Sequence, residues 1–214
     1  MPNPTHKNYN DFVKAYDFLN RRLFSGELPP CLITMQRKNR TYGYFSGDRW
    51  KEAQGETKAD EIALNPEHFQ SQGTEEVLST LAHEMVHLWQ FHFGRRPQKA
   101  YHDKQWANKM KEIGLIPSST GKPGGKETGQ KMSDYIEKGG RFEKVCAALI
   151  KSGFVVPYLD QAYVPGAEEN GTRTKKAASK TKYTCTDCGL NAWAKPDVSI
   201  FCGECNIELE AQEM

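Results

Sequence analysis

The chain has 214 residues, 37% of them hydrophobic and 26% charged, a globular composition with room for one well-buried domain and a small appendage rather than two full domains. Its formal net charge of +2 implies no polyanionic partner, so any nucleic-acid contact must come from local clustering. No apolar run approaches the roughly 18 to 20 residues of a membrane helix, and the opening MPNPTHKNYNDF lacks the apolar centre of a signal peptide, so a soluble intracellular protein without membrane contact is expected.

In chain order, the first predicted element is a core-packing helix within residues 9–30, where Phe12, Ala15, Tyr16, Leu19 and Leu23 fall at helical spacing before Gly26, Pro29 and Pro30. The stretches CLITMQR, TYGYFSG and DEIALN are short, rich in β-branched and aromatic residues and separated by polar segments, as strands of a small sheet would be. Asn65 before Pro66 suits the start of a short helix. A longer one follows, capped by Thr74, with Glu75 and Glu76 complementing its dipole and Gly94 and Pro97 stopping it. DKQWANKMKEIG predicts a further helix ending at Gly114, and GRFEKVCAALIKSG the last one of this domain, followed by an extended FVVPYL. The Gly-rich PSSTGKPGGKETGQK between them fails as a phosphate loop, because no Gly stands five residues before Gly125 and Glu127 follows Lys126.

The stretch LAHEMVHLWQFHFG, residues 81–94, carries the chemistry. At about 100° per residue, His87 lies about 40° from His83, one turn along the same face, and Glu84 about 60° from His87. Two imidazoles can thus meet one ion while the carboxylate reaches a water on it. His92 projects about 180° from His83 and reads as a packed or surface histidine. Gln90 and Phe93 stand where a metzincin needs Gly and His. A catalytic zinc usually takes three protein ligands and keeps an open position. The turn RRPQKAYH after Gly94 would bring His102 back as the third. The competing reading is a chance H-E-x-x-H of solvated residues. Against it, the motif lies in a strongly apolar helix, where unpaired polar groups cost roughly a few kcal/mol each.

With HEMVHLWQ followed by YHDKQWANKMKEIGL, and with LFSGELP, GYFSGDRW, EIALNP and the C-terminal cysteines as further landmarks, the chain resembles the SprT-like zinc metallopeptidase family over nearly all its length except a linker. The resemblance implies an α+β, zincin-like metalloprotease domain with a small sheet, His83, His87 and His102 as ligands of a catalytic zinc, and Glu84 as the catalytic glutamate. It also implies protein substrates bound or crosslinked to DNA. Tyr101 and Asp103 flank the third histidine where the family's best-known animal member has glycines.

Residues 165–182 are polar and basic in their second half, with no hydrophobic periodicity, and read as a linker between a domain over 1–164 and a module over 183–214. In that module Cys185 and Cys188 form one C-x-x-C, and Cys202 and Cys205 another. This spacing suits two knuckles, helped by Gly189 and Gly203, around a structural zinc. A redox pair is the weaker alternative. Arg173, Lys175, Lys176, Lys180, Lys182 and Lys195 lie in or beside the ribbon, with Tyr183, Trp193 and Phe201 as stacking faces for single-stranded or junction DNA. Equally, the lysines could be solvated and the aromatics a small core, and the resemblance favours DNA. The expectation is an intracellular metalloendopeptidase with one catalytic and one structural zinc, cytoplasmic or nucleoid-associated in a bacterium or phage and nuclear in a eukaryote. The rivals are a nucleic-acid-binding or transcription-associated zinc protein without significant proteolysis, and a zinc hydrolase of non-peptide substrates.

Overall fold

In the computed structural model, which describes residues 3–39, 41–97, 101–161 and 180–212, the chain divides into two compact units, Met1–Val164 and Pro165–Met214. The fold is mixed α+β. No described helix is long and apolar enough to cross a membrane.

The first unit opens with α1, Pro4–Leu23, one turn and more ahead of the expected start. Asn3 accepts hydrogen bonds from the Thr5 and His6 amides and Pro4 occupies the first turn, the same device expected at Asn65 and Pro66. That apolar periodicity begins only at Phe12 hid it. Three strands follow, β1 (Leu32–Met35), β2 (Gly43–Lys51) and β3 (Lys58–Leu64), in the order β1-β3-β2. β3 runs parallel to β1 and antiparallel to β2, which leaves β2 at an edge. Ile33, Ile62 and Leu64 share the face turned to the helices and are buried.

After a 3-10 turn at Pro66–His68 comes α2, Phe69–Phe93. Gly73 interrupts it with φ +77°, so a second helical segment begins at Thr74. From there Val77, Leu78, Leu81, Ala82, Met85, Val86 and Leu88 are all buried. A helix apolar almost all round belongs at the centre of a domain. α3, Lys104–Ile113, is capped by the Asp103 side chain and ends at left-handed Gly114, where a Cβ would lie 2.7 Å from the Phe142 amide nitrogen. α4, Arg141–Lys151, packs Phe142, Cys146 and Leu149 into the same core.

Between α3 and α4 the Gly-rich segment is flanked by an antiparallel pair, β4 (Leu115–Ser118) and β5 (Ser133–Ile136), which local pattern did not suggest. The second unit holds β6 (Thr181–Thr184), β7 (Asn191–Ala194) and β8 (Glu210–Gln212) in the order β7-β6-β8. Most of the expected linker lies outside the described residues.

Candidate active site

His83 and His87 stand one turn apart on α2, and the β-bridge between His102 and Gly129 carries the third imidazole to them. His102 and Gly129 exchange both backbone hydrogen bonds, at 2.9 and 3.0 Å. The Gly-rich loop is thus the strap that holds His102. One nitrogen from each of His83, His87 and His102 lies within 4.8 Å of the others. Below them sits Trp106 of α3, fully buried, stacked on His87 and edge-on to His83 and His102. Gln90, one turn beyond His87, donates to Asp103 at 2.9 Å, so the cap of α3 is tied to α2 beside the third histidine.

Hydrogen bonds define which nitrogens point inward. Asp134 of β5 faces His83 Nδ1 at 2.9 Å, and the Gly129 carbonyl faces His102 Nδ1 at 3.2 Å. With those Nδ1–H groups donating, both Nε2 atoms present lone pairs. His87 Nε2 and His102 Nε2 approach to 3.1 Å. A tetrahedral zinc with bonds of about 2.0–2.1 Å spaces its nitrogens by about 3.3–3.4 Å, so this donor set fits such an ion. Burial and the neighbouring His83 and His102 charges push the His87 pKa well below its usual value. Burial, then His83, lowers His102 to about 4. Both therefore offer neutral nitrogens, as a metal requires. Burial opposes the charged form of His83, but Asp134 and Glu84 outweigh it and its pKa is raised.

Glu84 is buried, and desolvation raises its carboxyl to about 7 despite the lowering effects of His83 and of a hydrogen bond from the Phe45 backbone. The strand edge reaches it because residue 43 is glycine. A Cβ there would stand 2.9 Å from the Ala63 carbonyl oxygen, 3.0 Å from Thr80 Cγ2 and 3.4 Å from Glu84 Cγ. The histidines and Glu84 open on a groove of about 1300 Å³ whose walls include Gly43, Tyr44 and Phe45 of β2, the preceding Tyr42, and Gln130, Lys131 and Met132. His92 lies elsewhere, with Nε2 2.6 Å from Asp60, a buried carboxylate that also accepts from the Asp48 amide at the β2 irregularity.

Sequence reasoning missed Asp134, Gly129, Trp106 and Gly43. The first two lie in or beside a segment read as loop, and nothing local marks them as partners of histidines far away in sequence.

In the second unit the four cysteine sulfurs also lie within 4.8 Å of one another, with Cys188 and Cys202 at 3.6 Å. Zinc–sulfur bonds of about 2.3 Å give about 3.8 Å between sulfurs, and the cluster fits a zinc ribbon. Each knuckle is closed by a backbone bond, from Cys185 to Leu190 and from Cys202 to Ile207, both 2.8 Å. The left-handed residue of the first knuckle is Gly189, as expected, but that of the second is Asn206 and not Gly203. Asparagine tolerates that conformation better than most side chains. Amide hydrogen bonds from Cys188 and Asp187 bring the Cys185 thiol down to about 7, while the neighbouring Cys188 thiol and burial hold Cys205 up at about 12. Four crowded sulfurs cannot all ionise without a cation among them.

Tyr183 belongs to the ribbon's buried cluster with Cys185, Cys202 and Leu209, and its hydroxyl donates to the Lys195 carbonyl. Trp193 and Phe201 are 60% and 63% exposed. Lys182 stands opposite Trp193 across β6 and β7, and Lys180 and Lys195 are exposed. Arg173, Lys175 and Lys176 lie outside the described residues.

No solved structure matches the chain. Over 59 residues it is 52% identical to a Salmonella typhimurium protein described as "Uncharacterized protein in mucB 3'region", a match spanning 28% of this chain and 80% of the other. The SprT-like family model matches residues 13–123, a span that takes in the second half of α1, the sheet of β1, β2 and β3, the H-E-x-x-H helix and α3; the chain belongs to the SprT-like family.

Proposed function

We propose that the chain is a zinc-dependent metalloendopeptidase acting on proteins bound or crosslinked to DNA. The observation that carries the peptidase half is the convergence of His83, His87 and His102 beside buried Glu84 in a groove walled by the edge strand β2.

His83, His87 and His102 would hold the catalytic zinc, and Cys185, Cys188, Cys202 and Cys205 the structural one. Bound zinc supplies a Lewis acid that acidifies water and polarises a carbonyl. Glu84 takes the proton of the attacking water and later delivers it to the leaving amine. Burial raises the proton affinity of its carboxyl, which helps it take up the proton of the water before passing it on. The edge of β2, residues 43–45, holds an extended substrate segment as an added strand through main-chain hydrogen bonds. Backbone recognition of this kind tolerates many substrate sequences.

The DNA half rests on the ribbon, where exposed Trp193 and Phe201 with Lys180, Lys182 and Lys195 offer stacking faces beside cations. The test is cleavage of a DNA-crosslinked protein by the wild type and by Glu84→Gln, each with and without single-stranded DNA. The reading expects DNA-stimulated cleavage that disappears with Glu84. Absence of cleavage by a chain that holds two zincs and binds DNA would overturn the peptidase reading in favour of a nucleic-acid-binding zinc protein. Cleavage indifferent to DNA would remove the DNA half.

A further inference from the structure

Outside the groove's catalytic groups, both oxygens of one carboxylate are engaged. Asp134 Oδ1 faces His83 Nδ1 at 2.9 Å, and Asp134 Oδ2 accepts from Ser79 Oγ at 2.6 Å. The Asp134 side chain is 10% exposed and Ser79 6%. Ser79 lies four residues before His83 on α2, hence on the same face one turn below it. Asp134 comes from β5, opposite Pro117 in the β4–β5 pair. A carboxylate held at both oxygens cannot rotate away from the imidazole it faces.

We infer that Ser79 and Asp134 form a positioning relay for His83, in which the serine orients the carboxylate and the carboxylate fixes the histidine tautomer that turns Nε2 toward the metal. The inference rests on the reading of His83 as a metal ligand. A carboxylate on the far nitrogen of a ligating histidine locks its ring orientation and makes the other nitrogen a stronger donor, and losing such a partner typically weakens metal binding by about 10- to 100-fold. The relay also explains the β4–β5 pair in functional terms, because it brings a carboxylate from a distant segment to α2. A purely structural tie between β5 and α2 would use the same contacts without affecting the metal.

The two roles separate in a zinc competition titration of the full chain against a chromophoric chelator, with the cysteine-bound ion as internal reference. The wild type should hold two zincs. Asp134→Asn should weaken the histidine-bound zinc alone by about 10- to 100-fold, and Ser79→Ala should weaken it less. Combined with Asp134→Asn, Ser79→Ala should add nothing, because the serine acts through the carboxylate. In cobalt-loaded protein Asp134→Asn should shift the absorption bands of the histidine site and leave those of the cysteine site unchanged. Unchanged affinity in Asp134→Asn, with only a lower melting temperature of the zinc-free chain, would overturn the relay and leave the peptidase reading intact. Additive losses in the double variant would remove Ser79 from it. A wild type that binds zinc only at its cysteines would overturn the site reading and the relay together. Should Asp134→Asn fail to fold, Ser79→Ala keeps the charge in place and still decides the matter, since wild-type affinity there would contradict the serine's role.

Discussion

As the proposed general base Glu84 has to start as a carboxylate, yet its surroundings favour the protonated form. Burial raises it to about 7 from a usual value of 4.5. A carboxyl bound more tightly to its proton in the folded state contributes stability below the unfolded pKa, and that stability is lost as pH rises through the folded value. The zinc-free wild type should therefore lose stability between pH 4.5 and about 7 relative to zinc-free Glu84→Gln, with the two alike below that window; calorimetry against pH checks it. A difference of the opposite sign would mean that Glu84 is not desolvated. If the chain is the proposed peptidase, the same substitution in the zinc-loaded protein should lower turnover by about 10²- to 10⁴-fold, the usual worth of a positioned acid–base group, while two zincs remain by metal analysis. His102→Ala should leave one zinc per chain and His92→Ala two, because His92 Nε2 is engaged by Asp60. Equal loss from both would contradict this ligand choice. The pair His83 and His87 and their glutamate are legible in sequence because helical geometry ties spacing to direction. Asp134 is not, because its role depends on a hairpin whose strands are four residues each and carry too little pattern to announce themselves.

At the scale of elements, β2 is held to α2 by what residue 43 lacks. Its neighbours on the side-chain side are the Ala63 carbonyl and Thr80, and a backbone carbonyl in a sheet cannot move aside as the end of a flexible side chain can. Gly43→Val should displace the edge, loosen the contact between the Phe45 backbone and Glu84, and lower kcat/KM by about tenfold or more, the equivalent of about 1.4 kcal/mol of transition-state stabilisation. Zinc content should stay at two. Peptide kinetics with metal analysis tests this, and full activity in Gly43→Val would show that the edge does not set the geometry of Glu84. The elements divide by how far they depend on neighbours. α1, α3 and α4 follow from their apolar spacing, and the end of α3 from Gly114. The early start of α1 and the pair β4 and β5 do not, since a cap without apolar periodicity and two short strands separated by a long Gly-rich segment resemble loop until the chain is folded. That same segment, read in sequence only as a failed phosphate loop, holds His102 through Gly129.

The two units of the whole molecule differ in what holds them together. The first has a continuous core in which α2, α3, α4 and α1 pack Leu78, Leu81, Trp106, Phe142 and Phe12 out of water. Among the described residues of the second, only Tyr183, Cys185, Cys202 and Leu209 are buried hydrophobics, and two of these are cysteines of the metal cluster. Ordering a backbone residue costs about 1–2 kcal/mol, which so small a core cannot offset, whereas structural zinc in small domains contributes about 10–16 kcal/mol. The first unit needs no such contribution, because its histidine site sits on helices and a sheet already packed. Chelation should consequently divide the molecule. Amides of β6, β7 and β8 should lose hydrogen-exchange protection when zinc is removed, while those of α2 and β3 keep theirs, and any DNA affinity borne by Trp193 and its neighbouring lysines should vanish with the ribbon. Readdition of zinc should restore all three strands. Protection of β6–β8 that survives complete chelation would show that the ribbon is held by its own side chains, and the cysteine cluster would then have to be read as something other than the centre on which this unit folds.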